Sequence, residues 1–144
     1  MQNILITGCS SGIGLETALI LKKNGIKVYA SARKENDVQM LKDLGFETFK
    51  IDVREKNDIK IALETIVKND LKLDAVFNNA GFGQPGAVED LSVKVLKKQF
   101  DTNFFGLHEV TIQAMKLFRK QGFGKVIQHS SVLGIISLKF RGAY

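Results

Sequence analysis

The chain has 144 residues, 44% of them hydrophobic and 25% charged, with a net charge of +6. That balance fits a folded protein rather than a disordered segment, and no apolar run approaches the roughly 18–20 residues needed to span a bilayer. The basic excess is spread from Lys22 to Arg141 among 15 acids, without the clustered stripe of a nucleic-acid surface, so neither nucleic acid nor membrane is an expected partner.

The first predicted element is an apolar strand over residues 3–7. It begins at the N-terminus, so no signal peptide is expected. Thr7 to Gly14 then read Thr-Gly-Cys-Ser-Ser-Gly-Ile-Gly, ahead of a predicted helix over residues 12–24. Glycines at 8, 12 and 14 let backbone N–H groups approach a phosphate with no Cβ in the way. The helix turns the positive end of its dipole toward the same charge, and the whole unit reads as a dinucleotide cradle. Cys9 is the only cysteine; an internal disulfide is impossible, and a reducing, cytoplasmic compartment is expected.

Further strands are predicted over residues 27–31, 48–51, 75–78 and 125–130, and helices over residues 34–44, 56–69 and about 92–120. Gly25 and Gly45 stand where the first two helices must end. Continuous apolar strands alternating with helices specify an α/β, Rossmann-type doubly wound parallel sheet with helices on both faces. Ligands of such sheets bind at the carboxyl ends of the strands. The long helix carries an apolar line, Val93, Leu96, Phe100, Phe104, Leu107, Val110, Thr111, Ala114 and Phe118. Its ~3.6-residue period predicts core packing, and its aromatic content also suits a partner subunit.

The spacing Thr-Gly-x-x-x-Gly-x-Gly over residues 7–14 differs from the Gly-x-Gly-x-x-Gly fingerprint. It resembles that of the short-chain dehydrogenase/reductase superfamily, compact single-domain branch. Four more matches follow in order: Asp52-Val53 after the third strand, Asn78-Asn79-Ala80-Gly81 after the fourth, Asn103 in Asp-Thr-Asn-Phe-Phe-Gly, and Ser131 with Tyr144 thirteen residues on.

The resemblance implies an NAD(P)-binding domain over residues 1–144. Its cofactor-binding residues would be Gly8, Ser10, Ser11, Gly12, Ile13, Gly14, Arg33, Asp52, Val53, Asn79, Ala80 and Gly81. It implies hydride transfer between a nicotinamide and a small carbonyl or alcohol substrate, with no metal. Tyr144 would donate the proton, Ser131 would hold the substrate oxygen, and Asn103 would hold a water of the proton relay. A homodimer or homotetramer is the expected assembly. The family's lysine, four residues after the tyrosine, would be residue 148. The expectation is therefore a truncated member of a protein of ~250 residues, with its last helices and strands missing and little activity of its own.

The second strand ends Tyr29-Ala30-Ser31-Ala32-Arg33. An acid at the strand end binds the ribose 2′-OH of NAD, whereas a basic group suits the 2′-phosphate of NADP. Ala32 stands in the acid's place, with Arg33 and Lys34 next, so NADP is expected over NAD. His108 and His129 match no catalytic position of the family, and structural roles are expected for both. The alternative is a non-catalytic NAD(P)-binding regulator on the same scaffold; Ser131 and Tyr144 together favour the enzyme.

Overall fold

The computed structural model describes residues 2–143. Five parallel strands, β1 (Asn3–Ile6), β2 (Lys27–Ala32), β3 (Glu47–Lys50), β4 (Ala75–Asn78) and β5 (Lys125–Gln128), lie in the order β3-β2-β1-β4-β5. The chain steps outward from β1 to β3, then returns to the other side of β1. The two halves therefore part between β1 and β4, the switch point at which such sheets open a cleft.

Helices α1 (Gly12–Lys23) and α2 (Glu35–Asp43) pack on one face, α3 (Lys56–Asp70) and α5 (Leu107–Gln121) on the other. β1 shows why. Ile4 and Ile6 point to one face and meet Val28, Ala30, Ala18, Val38 and Leu41. Leu5 points to the other and meets Tyr29, Val76, Ile59, Ile66, Val110, Ala114 and Phe118. A period of two with apolar residues on both sides requires cover on both sides. The expected α/β fold forms, with element ends within two residues of the sequence reading. Among the described residues no helix is long and apolar enough to cross a membrane.

At the strand N-termini, opposite the cleft, Asp70 closes a polar clamp. Its carboxylate takes Lys27 Nζ at 2.7 Å, the Tyr29 hydroxyl at 2.9 Å and Asn3 Nδ2 at 3.1 Å. The Lys27 ammonium holds the Asp70 carboxyl below the usual range, and burial pushes the Tyr29 phenol up.

The expected single long helix is corrected by the structure. It is a rod of three consecutive pieces: α4 (Val93–Phe100), a π-helical stretch Asp101–Gly106, and α5. The backbone stays right-handed through both joints, with φ −62°, ψ −38° at Phe100 and φ −56°, ψ −44° at Leu107. Only the hydrogen-bond span widens, to i→i+5.

The predicted apolar stripe is also only half right. Val110, Ala114 and Phe118 are buried in α5, but Val93, Phe100 and Phe104 are 68%, 48% and 56% exposed. In that half the inward residues are Gln99 and Gly106. The reason is that α4 faces loop backbone instead of sheet. The Gln99 amide accepts from Gln84 N at 2.7 Å and donates to Ala143 O. An apolar side chain there would strand both backbone groups without partners.

Beyond β5 the chain makes a short 3₁₀ turn, Val132–Gly134, and comes back to the loop after β4, where Gly86 N donates to Phe140 O at 2.9 Å. Ile135, Ile136, Leu138 and Phe140 are exposed on this segment.

Candidate functional site

A cleft of about 530 Å³ opens at the carboxyl ends of all five strands, lined by segments that follow each of them. Its floor is the loop after β1. Gly8 has φ +73°, and a Cβ there would stand 2.8 Å from Ala80 Cα. Cys9 N donates to Ser31 O at 2.8 Å, which ties the loop to β2. A Cβ on Gly14 would collide with Asn79 Nδ2 and Gly8 O. Gly8 and Gly14 therefore let two backbone segments touch.

The start of α1 is bare. Ser11 is its N-cap in an extended conformation (φ −169°), its side chain caps no N–H, and the first turn holds no acid. Helix N-termini normally have these donors satisfied by a side chain or by an anion. Here the start of the helix, with Ser11, Ile13 and Gly14, lines the cleft beside the Gly8 backbone. This chain's residues thus fit the diphosphate of a dinucleotide.

The wall opposite is pinned by Thr7 and Asn79. Thr7 Oγ1 accepts from Asn79 N and Ala80 N, both at 3.0 Å. Asn79 Nδ2 returns two bonds, to Thr7 O and Gly8 O, both at 3.0 Å. The loops after β1 and β4 are thereby locked across the switch point.

At the lip, Ala32 ends β2 and is buried, while Arg33 and Lys34 follow it exposed. Both line the cleft, and so does Asp37 on α2. Asp52, after β3, is gripped by Arg54: Nε to Oδ1 at 2.9 Å and a guanidinium nitrogen to Oδ2 at 2.5 Å. That grip holds the Asp52 carboxyl below the usual carboxylate range.

Of the residues expected to bind cofactor, the structure gathers Gly8, Ser10, Ser11, Ile13, Gly14, Arg33, Asp52, Val53, Asn79, Ala80 and Gly81 around the cleft. Gly12 does not line it. Its φ of +56° turns the chain into α1, and a Cβ there would meet nothing within 4 Å.

The expected catalytic residues are less gathered. Asn103 sits in the π stretch and spends its amide on Phe82, accepting from Phe82 N at 3.0 Å and donating to Phe82 O at 2.7 Å. Ser131 is the N-cap of the 3₁₀ turn, its Oγ accepting from Leu133 N at 3.1 Å. It does not line the cleft. Tyr144 lies outside the described residues.

Sequence reasoning did not place Asp37, Ile51, Lys98, Thr102 or His129 on the cleft, where the structure puts them. Lys98 and Thr102 are four apart on the rod and share a face, a signal that helical spacing carries. His129 lies one residue past β5, where strand ends meet ligands in this architecture.

A family model described as "short chain dehydrogenase" matches residues 2–144. The chain is 42% identical to an uncharacterized oxidoreductase, YbbO, of Escherichia coli, over 99% of this chain and 54% of that protein. It is 39% identical to a probable short-chain type dehydrogenase/reductase, VdlC, of Helicobacter pylori, over 97% of this chain and 52% of that protein. A solved structure of actinorhodin polyketide ketoreductase with NADPH superposes with a TM-score of 0.91 at 31% identity, covering 99% of this chain and 58% of the other. The chain spans about half the length of the curated relatives it matches. With the family model matched over residues 2–144, the chain belongs to the short-chain dehydrogenase family.

Proposed function

We propose that this chain is the dinucleotide-binding part of an NADP-dependent oxidoreductase, transferring hydride between the nicotinamide and a small-molecule carbonyl or secondary alcohol. The observation that carries the reading is the cradle itself: an uncapped, acid-free helix N-terminus facing glycine backbone at the switch point of the sheet. The fold neighbour with NADPH bound supports the cofactor class.

The cofactor supplies or accepts the hydride. The protein's part is to bind, orient and move a proton. The backbone N–H groups at the start of α1 hold the diphosphate. Arg33 and Lys34 meet a 2′-phosphate, and Ala32 leaves no carboxylate to repel it. An alkoxide forming from a carbonyl needs a proton donor and an oxygen-holding partner. Tyr144 and Ser131 take those roles in this reading. The Asn103 amide holds the Phe82 backbone beside the cleft, and the relay water assigned to it stays part of the proposal.

The exposed aromatics Phe100, Phe104 and Phe105 support a homodimer or homotetramer, since such side chains pack against further protein.

Calorimetric titration of the chain with NADPH and NADH tests the cofactor reading. NADPH should bind about tenfold or more tightly than NADH, the order of one charge-assisted phosphate contact. Ala32→Asp should reverse the order. Equal affinities would remove the NADP preference, and failure to bind either nucleotide would remove the whole reading.

A further inference from the structure

His129 is left over from the expected machinery, yet it stands at the cleft with its imidazole committed. Its backbone N–H donates to Asn78 O at 3.0 Å, extending the β4–β5 ladder by one step. Its ring lies 6.1 Å, centroid to centroid, from the ring of Phe77. Its Nδ1 is 2.9 Å from Asn79 Oδ1. These three restraints fix where the ring sits.

The direction of the last bond follows from the other end of the Asn79 amide. Asn79 Nδ2 lies 3.0 Å from both Thr7 O and Gly8 O. Flipping the amide would bring its oxygen against two carbonyl oxygens, so the nitrogen must face them. The oxygen then faces His129 and can only accept. Nδ1 of His129 must carry the proton.

We propose that His129 is a positioning residue for the cofactor cradle, acting through Asn79; the proposal rests on the dinucleotide reading given above. His129 holds Asn79 Oδ1, which aims Nδ2 at Thr7 O and Gly8 O, which in turn fixes the Gly8 turn against Ala80. The chain of contacts runs from the end of β5, next to Ser131, to the floor of the cleft. A ligand bound on that floor feels β5 through this one amide.

Two measurements on the 144-residue chain test it. In a long-range proton–nitrogen spectrum of the chain without nucleotide, neutral His129 should show the Nδ1–H tautomer. A predominant Nε2–H tautomer would overturn the proposal, whatever the nucleotide affinity.

In NADPH titrations, His129→Leu should weaken binding by about three- to tenfold, the range of one hydrogen bond. His129→Asn places an amide N–H near the Nδ1 position and should restore affinity to within about twofold. Unchanged affinity in His129→Leu, or equal weakness in both variants, would overturn the proposal. If the wild-type chain fails to bind NADPH, the dinucleotide reading falls, and the proposal with it. A His129→Leu effect rescued by Asn, in a chain whose melting temperature is unchanged, separates positioning from general destabilisation.

Discussion

Asn103 grips Phe82 with both ends of its amide, accepting from the backbone N–H at 3.0 Å and donating to the carbonyl at 2.7 Å. The pair spans 21 residues and joins the π stretch to the loop after β4. Asn103→Leu leaves one donor and one acceptor of the backbone without partners in a half-buried place. It should cost about 2 kcal/mol and lower the melting temperature by roughly 6–8 °C. Asn103→Asp keeps the acceptor but sets a carboxylate oxygen against Phe82 O, and should cost at least as much. A Leu variant melting with the wild type would show that the Phe82 backbone finds water instead.

Two glycines of the same loop should respond differently to alanine. Gly8 combines φ +73° with Ala80 Cα at 2.8 Å from its would-be Cβ. Gly12 has φ +56° and open space. Gly12→Ala carries only the left-handed penalty, about 1 kcal/mol. Gly8→Ala adds a collision between two backbones and should cost about 3 kcal/mol. Urea denaturation midpoints of the two variants read the difference directly.

The strand alternation, the helix ends and the glycine cradle were legible because each is local: apolar period, capping glycine, and the spacing of residues 7–14. All but one of the residues that the family resemblance implies for cofactor binding and that precede the π stretch line the cleft, because they follow strand ends. What was hidden is non-local or polar. Asn79 looks like a ligand contact in the sequence, yet its side chain is spent on Thr7, Gly8 and His129. Gln99 interrupts an apolar stripe without saying that it serves Gln84 and Ala143. Nor does a 3.6-residue period announce a wide turn at residues 101–106. Phe100 and Phe104 match that period and still face outward.

Acid should loosen the clamp at the strand N-termini. Asp70 titrates below its ordinary value in the folded chain, because Lys27 pairs with it first of all and Tyr29 and Asn3 add hydrogen bonds. A carboxyl depressed by folding stabilises the native state above its unfolded pKa, near 3.9. That contribution disappears as pH falls through the folded value. Asp70→Asn should therefore melt below the wild type at pH 7 and approach it as pH falls beneath the unfolded carboxyl value, about 3.9. Melting temperatures of both proteins across pH 2–7 test this. A gap that stays constant would place the effect in packing.

Cys9 should be chemically silent in the native chain. It is fully buried beneath the glycine loop, its Sγ is 3.3 Å from Ile6 O, and burial pushes its thiol up to about 12. A disulfide reagent at pH 8 finds almost no thiolate and no access. Labelling should proceed only as fast as the chain opens, and should become rapid in urea. Fast labelling of the folded chain would show that the loop opens on its own.

The rod built from α4, the π stretch and α5 has a phase problem that its wide turn solves. Its inward line, from Gln99 through Gly106, Val110 and Ala114 to Phe118, completes five turns in nineteen residues. A regular α-helix completes five turns in about eighteen. Wound regularly, the rod would point Gln99 about 100° away from Gln84 and Ala143 whenever Phe118 sat in the core. Core packing at one end and backbone service at the other are out of step by one residue. The turn that carries Asn103 absorbs that residue, like a vernier between two scales, and lets both ends register at once.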